Sequence, residues 1–146
     1  VNVMKTINLE SILTESLIPP EVLEEDGAFI QASRLGISGK ILQPTIKVLG
    51  VRDLIISLLN TDKTNLSKFY HQEHLSPTVS EAILDTLKVF KLAFQVYDQD
   101  TKTALKWLNT KIPALSGQVP IDLLDTFKGR ELVKDCLMVM EYGDFT

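Results

Sequence analysis

Residues 77–97 predict a long helix that is apolar on two sides, and this segment constrains the fold more than any other. Ser76 is a suitable N-cap, and Pro77 suits the first helical position. Two rows of apolar residues follow with helical spacing. The rows are Ile83, Leu87, Phe90, Phe94 and Tyr97, and Ala82, Val89, Ala93 and Val96. Because both sides must be covered, we expect the central helix of an all-α fold or a helix that shares one face with a second copy in a homodimer, and the two roles are compatible.

The next stretch, residues 104–143, predicts three short helices separated by clear stop signals. Ala104, Trp107 and Leu108 share one face of the first helix. Thr126 is a suitable N-cap for the last helix, and Gly143 lies where a C-cap glycine is expected. The turns are marked by two prolines, Pro113 and Pro120. The apolar residues of the last helix keep helical spacing; they are Leu132, Val133, Cys136, Leu137 and Met140.

A motif runs through the same stretch, with W-L first, then L-x-G-x-x-P-x-D-L-L-x-T-x-x-G-x-x-x-V-x-x-x-L, and finally E-Y-G. Its positions are Trp107, Leu108, Leu115, Gly117, Pro120, Asp122, Leu123, Leu124, Thr126, Gly129, Val133, Leu137, Glu141, Tyr142 and Gly143. Over about forty residues in register, this motif resembles the C-terminal toxin-binding domain of Xre-type antitoxins from RES-Xre toxin-antitoxin pairs.

The resemblance implies an antitoxin that binds a RES-domain toxin, which is an NAD-consuming enzyme, and occludes its pocket. It also implies that the antitoxin, alone or in the complex, represses its own operon by binding operator DNA. The glycines make no phosphate-cradling loop, and no serine or cysteine nucleophile has a recognisable base in a motif, so we expect no cofactor and no enzyme.

The last six residues of the sequence are the candidate toxin contacts: Glu141, Tyr142, Gly143, Asp144, Phe145 and Thr146. They include two aromatic side chains and two carboxylates. Exposed aromatic side chains make good interface anchors, and the carboxylates suit basic groups that line a nucleotide pocket. The alternative is that this segment folds back on its own domain.

The middle of the sequence is its basic part, since residues 33–75 contain six basic and three acidic residues in a chain with a net charge of −4. Helices predicted at 51–59 and 63–71, joined by a short turn, have the layout of a helix-turn-helix. Lysines suit phosphates, and asparagine suits an adenine edge. The candidate DNA contacts are therefore Lys63, Thr64, Asn65 and Lys68. A plain structural hairpin is the alternative.

The first part of the sequence, residues 1–28, is acidic and contains a Pro-Pro pair. We expect a partly ordered arm, and the alternative is one short amphipathic helix around Ile12 and Leu13. After this part, a helix is predicted to begin either with Ser38 as N-cap or near Pro44.

These patterns divide the chain into an acidic arm at residues 1–28, a helix-turn-helix-like region at 29–76, and the long helix with the toxin-binding module at 77–146. A second function is compatible with this division. If the C-terminal module only dimerises, the chain is a stand-alone helix-turn-helix transcription regulator.

Other kinds of site are not indicated by the residue types. His71 and His74 flank Glu73, but a zinc site needs three or four ligands, and Cys136 is far along the sequence on an apolar stripe. We therefore expect no metal site. A single cysteine permits no internal disulfide, which suits the cytoplasm. No apolar run reaches the roughly 18 residues of a membrane span, so a soluble protein is expected.

Overall fold

The computed structural model describes residues 9–143, and these residues form an all-α fold, as predicted. Nine α-helices follow one another in this range: α1 Leu9–Glu15, α2 Glu21–Glu24, α3 Asp26–Leu35, α4 Leu42–Leu49, α5 Arg52–Leu59, α6 Leu66–Phe69, α7 Pro77–Val96, α8 Thr101–Leu108 and α9 Phe127–Tyr142. Three 3-10 turns lie between them, at Gly39–Ile41, Pro113–Leu115 and Pro120–Leu123. None of the nine helices is both long and apolar enough to cross a membrane.

Helix α7 is the central helix of the fold, which confirms one of the two predicted arrangements. Ser76 caps it by accepting a hydrogen bond from the backbone N–H of Val79 at 3.2 Å. The helix contacts α1, α2, α3, α5, α8 and α9. Side chains of both predicted rows are buried, including Phe90 in one row and Val89 in the other. Since the chain itself covers both sides, α7 offers no open apolar side to a second copy.

Residues 9–24 form α1 and α2, and their apolar side chains join the core. Ile12, Leu13, Val22 and Leu23 are buried, so the expectation of a partly ordered arm does not apply to these residues. The acidic side chains of the two helices are all exposed. Helix α1 agrees with the alternative, a short amphipathic helix around Ile12 and Leu13.

The connection from α3 to α4 combines both predicted helix starts. Ser38 accepts a backbone hydrogen bond at 3.2 Å and caps the 3-10 turn Gly39–Ile41. Helix α4 follows directly, with Pro44 in its first turn, where a backbone N–H has no partner within the helix. At Gly39 a Cβ atom would lie 1.9 Å from the carbonyl oxygen of Phe69. The absence of a side chain there lets this turn pack directly against α6.

One continuous hydrophobic core runs through the described part of the chain, from Leu9 in α1 to Leu137 in α9. Phe90 and Phe94 of α7 belong to it, and their ring centroids are 6.2 Å apart in an edge-to-face arrangement. The predicted boundaries at residues 28 and 76 coincide with no break in this core. The division of the chain into three parts therefore stays a prediction.

Candidate protein-docking site on the last helix

Helix α8 begins at a capping aspartate and turns an apolar side toward the core. Asp100 accepts hydrogen bonds from the hydroxyl of Thr103 at 2.7 Å and from its backbone N–H at 3.2 Å. These bonds, the hydroxyl bond first, lower the pKa of Asp100 from its ordinary value. Ala104 and Leu108 are buried and Trp107 is half-buried. The three residues predicted to share one face thus all pack against the core.

The start of α9 is fixed by a cap and by a close backbone contact. Thr126 caps the helix, as predicted, by accepting a hydrogen bond from the backbone N–H of Gly129 at 2.9 Å. A Cβ atom at Gly129 would lie 1.6 Å from the carbonyl oxygen of Leu123. The preceding 3-10 turn therefore rests directly on the first turn of α9, and a larger residue than glycine does not fit between them.

A buried group of charged side chains fastens α9 to α7. Asp85 of α7 accepts a hydrogen bond from Nε of Arg130 at 2.7 Å, and Nζ of Lys134 bonds its other carboxylate oxygen. Arg130 also donates to the carbonyl oxygen of Leu124 at 2.9 Å. A buried charge needs such partners because leaving it unpaired is strongly unfavourable. The one signal in the sequence is the place of Arg130, three residues before Val133 on the apolar side of α9.

Only some of the apolar residues with helical spacing in α9 are buried. Val133 and Leu137 are buried, whereas Leu132 and Met140 are exposed. Leu132 immediately precedes the buried Val133, so its side chain points about 100° away from that residue around the helix axis. Met140 lies near the C-terminal end of α9, after Leu137, the last buried residue of this helix. Cys136 is half-buried, and this burial raises the pKa of its thiol.

The opposite side of α9 carries large apolar side chains that remain exposed. We call this side the outer face; its apolar residues are Phe127, Leu132, Met138, Val139 and Tyr142, with exposed fractions of 63%, 42%, 42%, 57% and 53%. In residues 9–143, nine large apolar side chains are exposed, and six of them belong to α9. Exposure is therefore concentrated on this helix, and such an apolar patch marks an interaction site. A helix that presents apolar side chains in rows is a common docking element.

Comparison with known proteins assigns a family to this part of the chain. Residues 92–143 match the family model described as the antitoxin Xre/MbcA/ParS C-terminal toxin-binding domain. This part of the chain is similar to the toxin-binding domain of Xre-type antitoxins. The range that matches begins within α7 and includes α8 and α9 with its outer face.

Two proteins with antitoxin names are similar to this chain. One, from Sphingobium sp. (strain YBL2), is named Prs ADP-ribosylating antitoxin and is 28% identical over 120 residues, which are 75% of this chain and 76% of the relative. The other is Antitoxin Xre of Yersinia enterocolitica serotype O:8 / biotype 1B (strain NCTC 13174 / 8081), which is 30% identical over 76 residues. These residues are 52% of this chain and 51% of the relative, so the second match spans about half of each protein.

The six candidate toxin contacts are described only in part. Glu141 is half-buried, and Tyr142 is exposed in the last turn of α9. Gly143 follows with a φ of 76° and is the C-cap of the helix, as predicted. The other three candidates, Asp144, Phe145 and Thr146, lie outside the described residues.

The predicted helix-turn-helix has a shorter second helix than expected. Helix α5 agrees with the prediction, and Asn60 adopts the left-handed conformation, with a φ of 52°, that a glycine often provides in such turns. The second helix, α6, includes only Leu66–Phe69 and not the whole of residues 63–71. Asp62 accepts a hydrogen bond from the backbone N–H of Asn65 at 2.9 Å. This bond favours a turn over a helix before Leu66.

The four candidate DNA contacts differ in their surroundings. Lys63, Thr64 and Lys68 are exposed. Asn65 is half-buried, and its side-chain amide donates to both carboxylate oxygens of Asp62 at 3.1 Å. The two lysines are therefore open to phosphates, whereas the amide of Asn65 must exchange a partner before it can reach a base.

Proposed function

We propose that this antitoxin binds a RES-domain toxin, an NAD-consuming enzyme, and keeps it inactive by occluding its nucleotide pocket. The observation that carries the proposal is the exposed apolar side of α9, which lies in the range that matches a toxin-binding domain. The RES class of the partner follows from the resemblance of the motif described above. Exposed aromatic side chains contribute most to binding when a partner buries them.

Residues 141–146 are the proposed contact with the toxin pocket. Helix α9 presents Glu141 and Tyr142 on a regular element, which reduces the conformational entropy that is lost on docking. In the proposal, Tyr142 is an apolar anchor, together with Phe145. The carboxylates of Glu141 and Asp144 pair with basic groups of the pocket, since sites that bind phosphate groups are lined by such groups.

Deletion of residues 142–146 tests this contact. We expect the shortened antitoxin to lose inhibition of NAD consumption and to stop protecting cells that co-express the toxin. Its melting temperature should remain that of the full chain, because Leu137 is the last buried apolar residue among those described. Survival of cells that contain the toxin and the shortened antitoxin contradicts the proposed contact.

The proposal also includes binding of operator DNA, by which the antitoxin or its toxin complex represses its own operon. Lys63 and Lys68 are exposed and suit phosphates. Thr64 is exposed between them and suits a phosphate or a base edge, and Asn65 is the proposed adenine contact. Because the chain has a net charge of −4, we expect binding to be local to this segment and strongly dependent on salt.

The change of Lys63→Glu together with Lys68→Glu tests the DNA contact. In gel shifts at moderate salt, this pair should remove binding to the operator. The matched control is Lys106→Glu with Lys111→Glu, which makes the same charge change at two exposed lysines of the C-terminal module. If both pairs of changes remove operator binding equally, or if neither pair removes it, the result contradicts a DNA contact at residues 63–68.

We also propose that the protein acts as a homodimer in the cytoplasm and has no catalytic activity of its own. Helix-turn-helix proteins commonly read two half-sites as symmetric dimers. Since the chain covers both sides of α7, such a dimer requires another surface. Sedimentation equilibrium over a range of concentrations, with and without operator DNA, measures the state, and a monomer throughout contradicts the homodimer. A dimer that binds DNA but no toxin supports the stand-alone regulator instead.

A further inference from the structure

The outer face of α9 extends well beyond residues 141–146. Phe127, Met138 and Tyr142 are separated by eleven and four residues, which are close to whole numbers of helical turns, so they form one row. Leu132 and Val139 are seven residues apart and form a neighbouring row. Over the sixteen residues of α9, the face is about 24 Å long. The outer face is therefore a strip along the helix rather than a patch at its end, and we refer to it below as the strip.

The fold of the antitoxin does not require this strip to be apolar. Val133 and Leu137 on the inner side already attach α9 to the core, and apolar groups left in water contribute little to folding. We propose that the strip is a docking surface for the toxin and inserts as a helix into an apolar groove that is bordered by basic side chains. This inference rests on the proposed function and gives it a second, wider contact.

Acidic side chains between the two rows favour a foreign partner over a second copy of the chain. Lys128 reaches Glu131 at 3.4 Å, whereas Asp135 makes no ion pair within residues 9–143. Asp135 lies at the middle of α9, so a twofold pairing centred on the strip would bring the Asp135 carboxylates of both copies together. Like charges in an interface are unfavourable. Basic side chains at the edge of a toxin groove would instead neutralise Asp135.

The inner side of α9 holds the strip in a defined position. Arg130 and Lys134 attach the helix to Asp85 of α7, and the cap at Thr126 fixes its start. A docking helix that is already ordered loses less conformational entropy on binding. The strip accordingly provides most of the affinity for the toxin, while the segment beyond Tyr142 provides the occlusion of its pocket.

The test replaces apolar side chains of the strip by lysine, which is a good helix former. One variant is Met138→Lys with Val139→Lys, and the matched control is Leu35→Lys, an exposed leucine of α3 outside residues 92–143. Binding is measured by titration calorimetry with a purified RES-domain toxin. We expect the strip variant to bind about tenfold more weakly or worse, and the control to bind like the wild type.

Two further variants make the result specific. Phe127→Lys with Leu132→Lys changes the other half of the strip and replaces the first pair in the comparison if that pair lowers the melting temperature. A chain that ends at Tyr142 keeps the whole strip. We expect it to bind within about threefold of the wild type and to inhibit NAD consumption less.

The other outcomes contradict either the inference about the strip or the proposed function as a whole. Equal binding by the wild type and the strip variants overturns the inference and leaves the proposed function standing. A loss in the chain that ends at Tyr142 as large as that in the strip variants also overturns it, because the affinity then resides in the residues after Tyr142. If the wild-type antitoxin does not bind the toxin, the proposed function fails and the inference fails with it.

Discussion

Asp85 is the position where a single small change should loosen the C-terminal module most. Its side chain is 12% exposed and that of Arg130 is 8% exposed. Asp85→Asn keeps the size of the side chain but removes the charge, so Arg130 remains buried with the carbonyl oxygen of Leu124 as a neutral partner. Breaking a buried ion pair from one side costs about 3–5 kcal/mol. Lys134 is 27% exposed and can turn toward water, so its loss of a partner adds little.

This cost is a large fraction of the stability of a small protein, which is about 5–15 kcal/mol. For a chain of 146 residues, about 2–4 °C is lost for each kcal/mol, so the melting temperature of Asp85→Asn should fall by about 6–20 °C. Urea unfolding followed by circular dichroism at helical wavelengths measures the free energy of unfolding. The matched control is Asp135→Asn, an exposed carboxylate of α9, which should change stability by less than about 0.5 kcal/mol.

The pair Asp85→Leu with Arg130→Met distinguishes loss of charge pairing from loss of packing. Both changes together leave no buried charge at this place, and apolar replacements of a buried ion pair are often neutral or stabilising. We therefore expect the double variant to be more stable than Asp85→Asn alone. A loss below about 1 kcal/mol in Asp85→Asn, or a double variant less stable than the single one, refutes the view that paired charges hold α9 to α7.

Three further predictions concern the start and the middle of α9. Gly129→Ala should destabilise the protein by about 3 kcal/mol, since its Cβ would meet the Leu123 backbone; the control Gly27→Ala, with no atom within 4 Å of its Cβ, should gain about 0.4–1 kcal/mol in urea unfolding. Thr126→Ala should lose about 1 kcal/mol with its cap, and Thr126→Ser should restore most of it. Burial raises the pKa of the Cys136 thiol, so alkylation by iodoacetamide near pH 8 should be slower in the folded than in the urea-unfolded protein. The stabilisation that comes from burying the protonated Cys136 thiol is present below the thiol pKa of the unfolded protein and is lost as the pH rises through the thiol pKa of the folded protein. Equal alkylation rates in the folded and the unfolded protein contradict a raised pKa.

Helix starts were predictable because their signals are local. Ser76 and Thr126 each lie three residues before the backbone N–H that they bond, so a short window of sequence contains the whole interaction. The two-sided apolar pattern of α7 was also sufficient, since it requires a central position whatever the neighbours are. In contrast, the second helix of the predicted hairpin was too long because Asp62 competes for the backbone of Asn65.

The candidate site was only partly predictable because helical spacing does not define which apolar residues meet the core. Leu132 and Met140 have the same spacing as buried positions, yet they are exposed. The sequence signal for the outer face was the excess of apolar residues in α9 over what one buried side can hold. The pairing of Asp85 with Arg130 joins residues 45 positions apart, and no pattern within one helix reveals a contact of that kind.

The uninterrupted course of α7 limits how this chain can be recombined with its relatives. The range that matches the toxin-binding family begins at residue 92, inside a helix that runs from Pro77 to Val96 and is about 30 Å long. A hybrid protein joined at residue 92 would combine two parts of α7 from different proteins, and the apolar rows of each part pack against different neighbours in the parent proteins. A junction before Pro77 would keep the helix whole, and the transferred helix would then have to pack against α1, α2, α3 and α5 of the recipient.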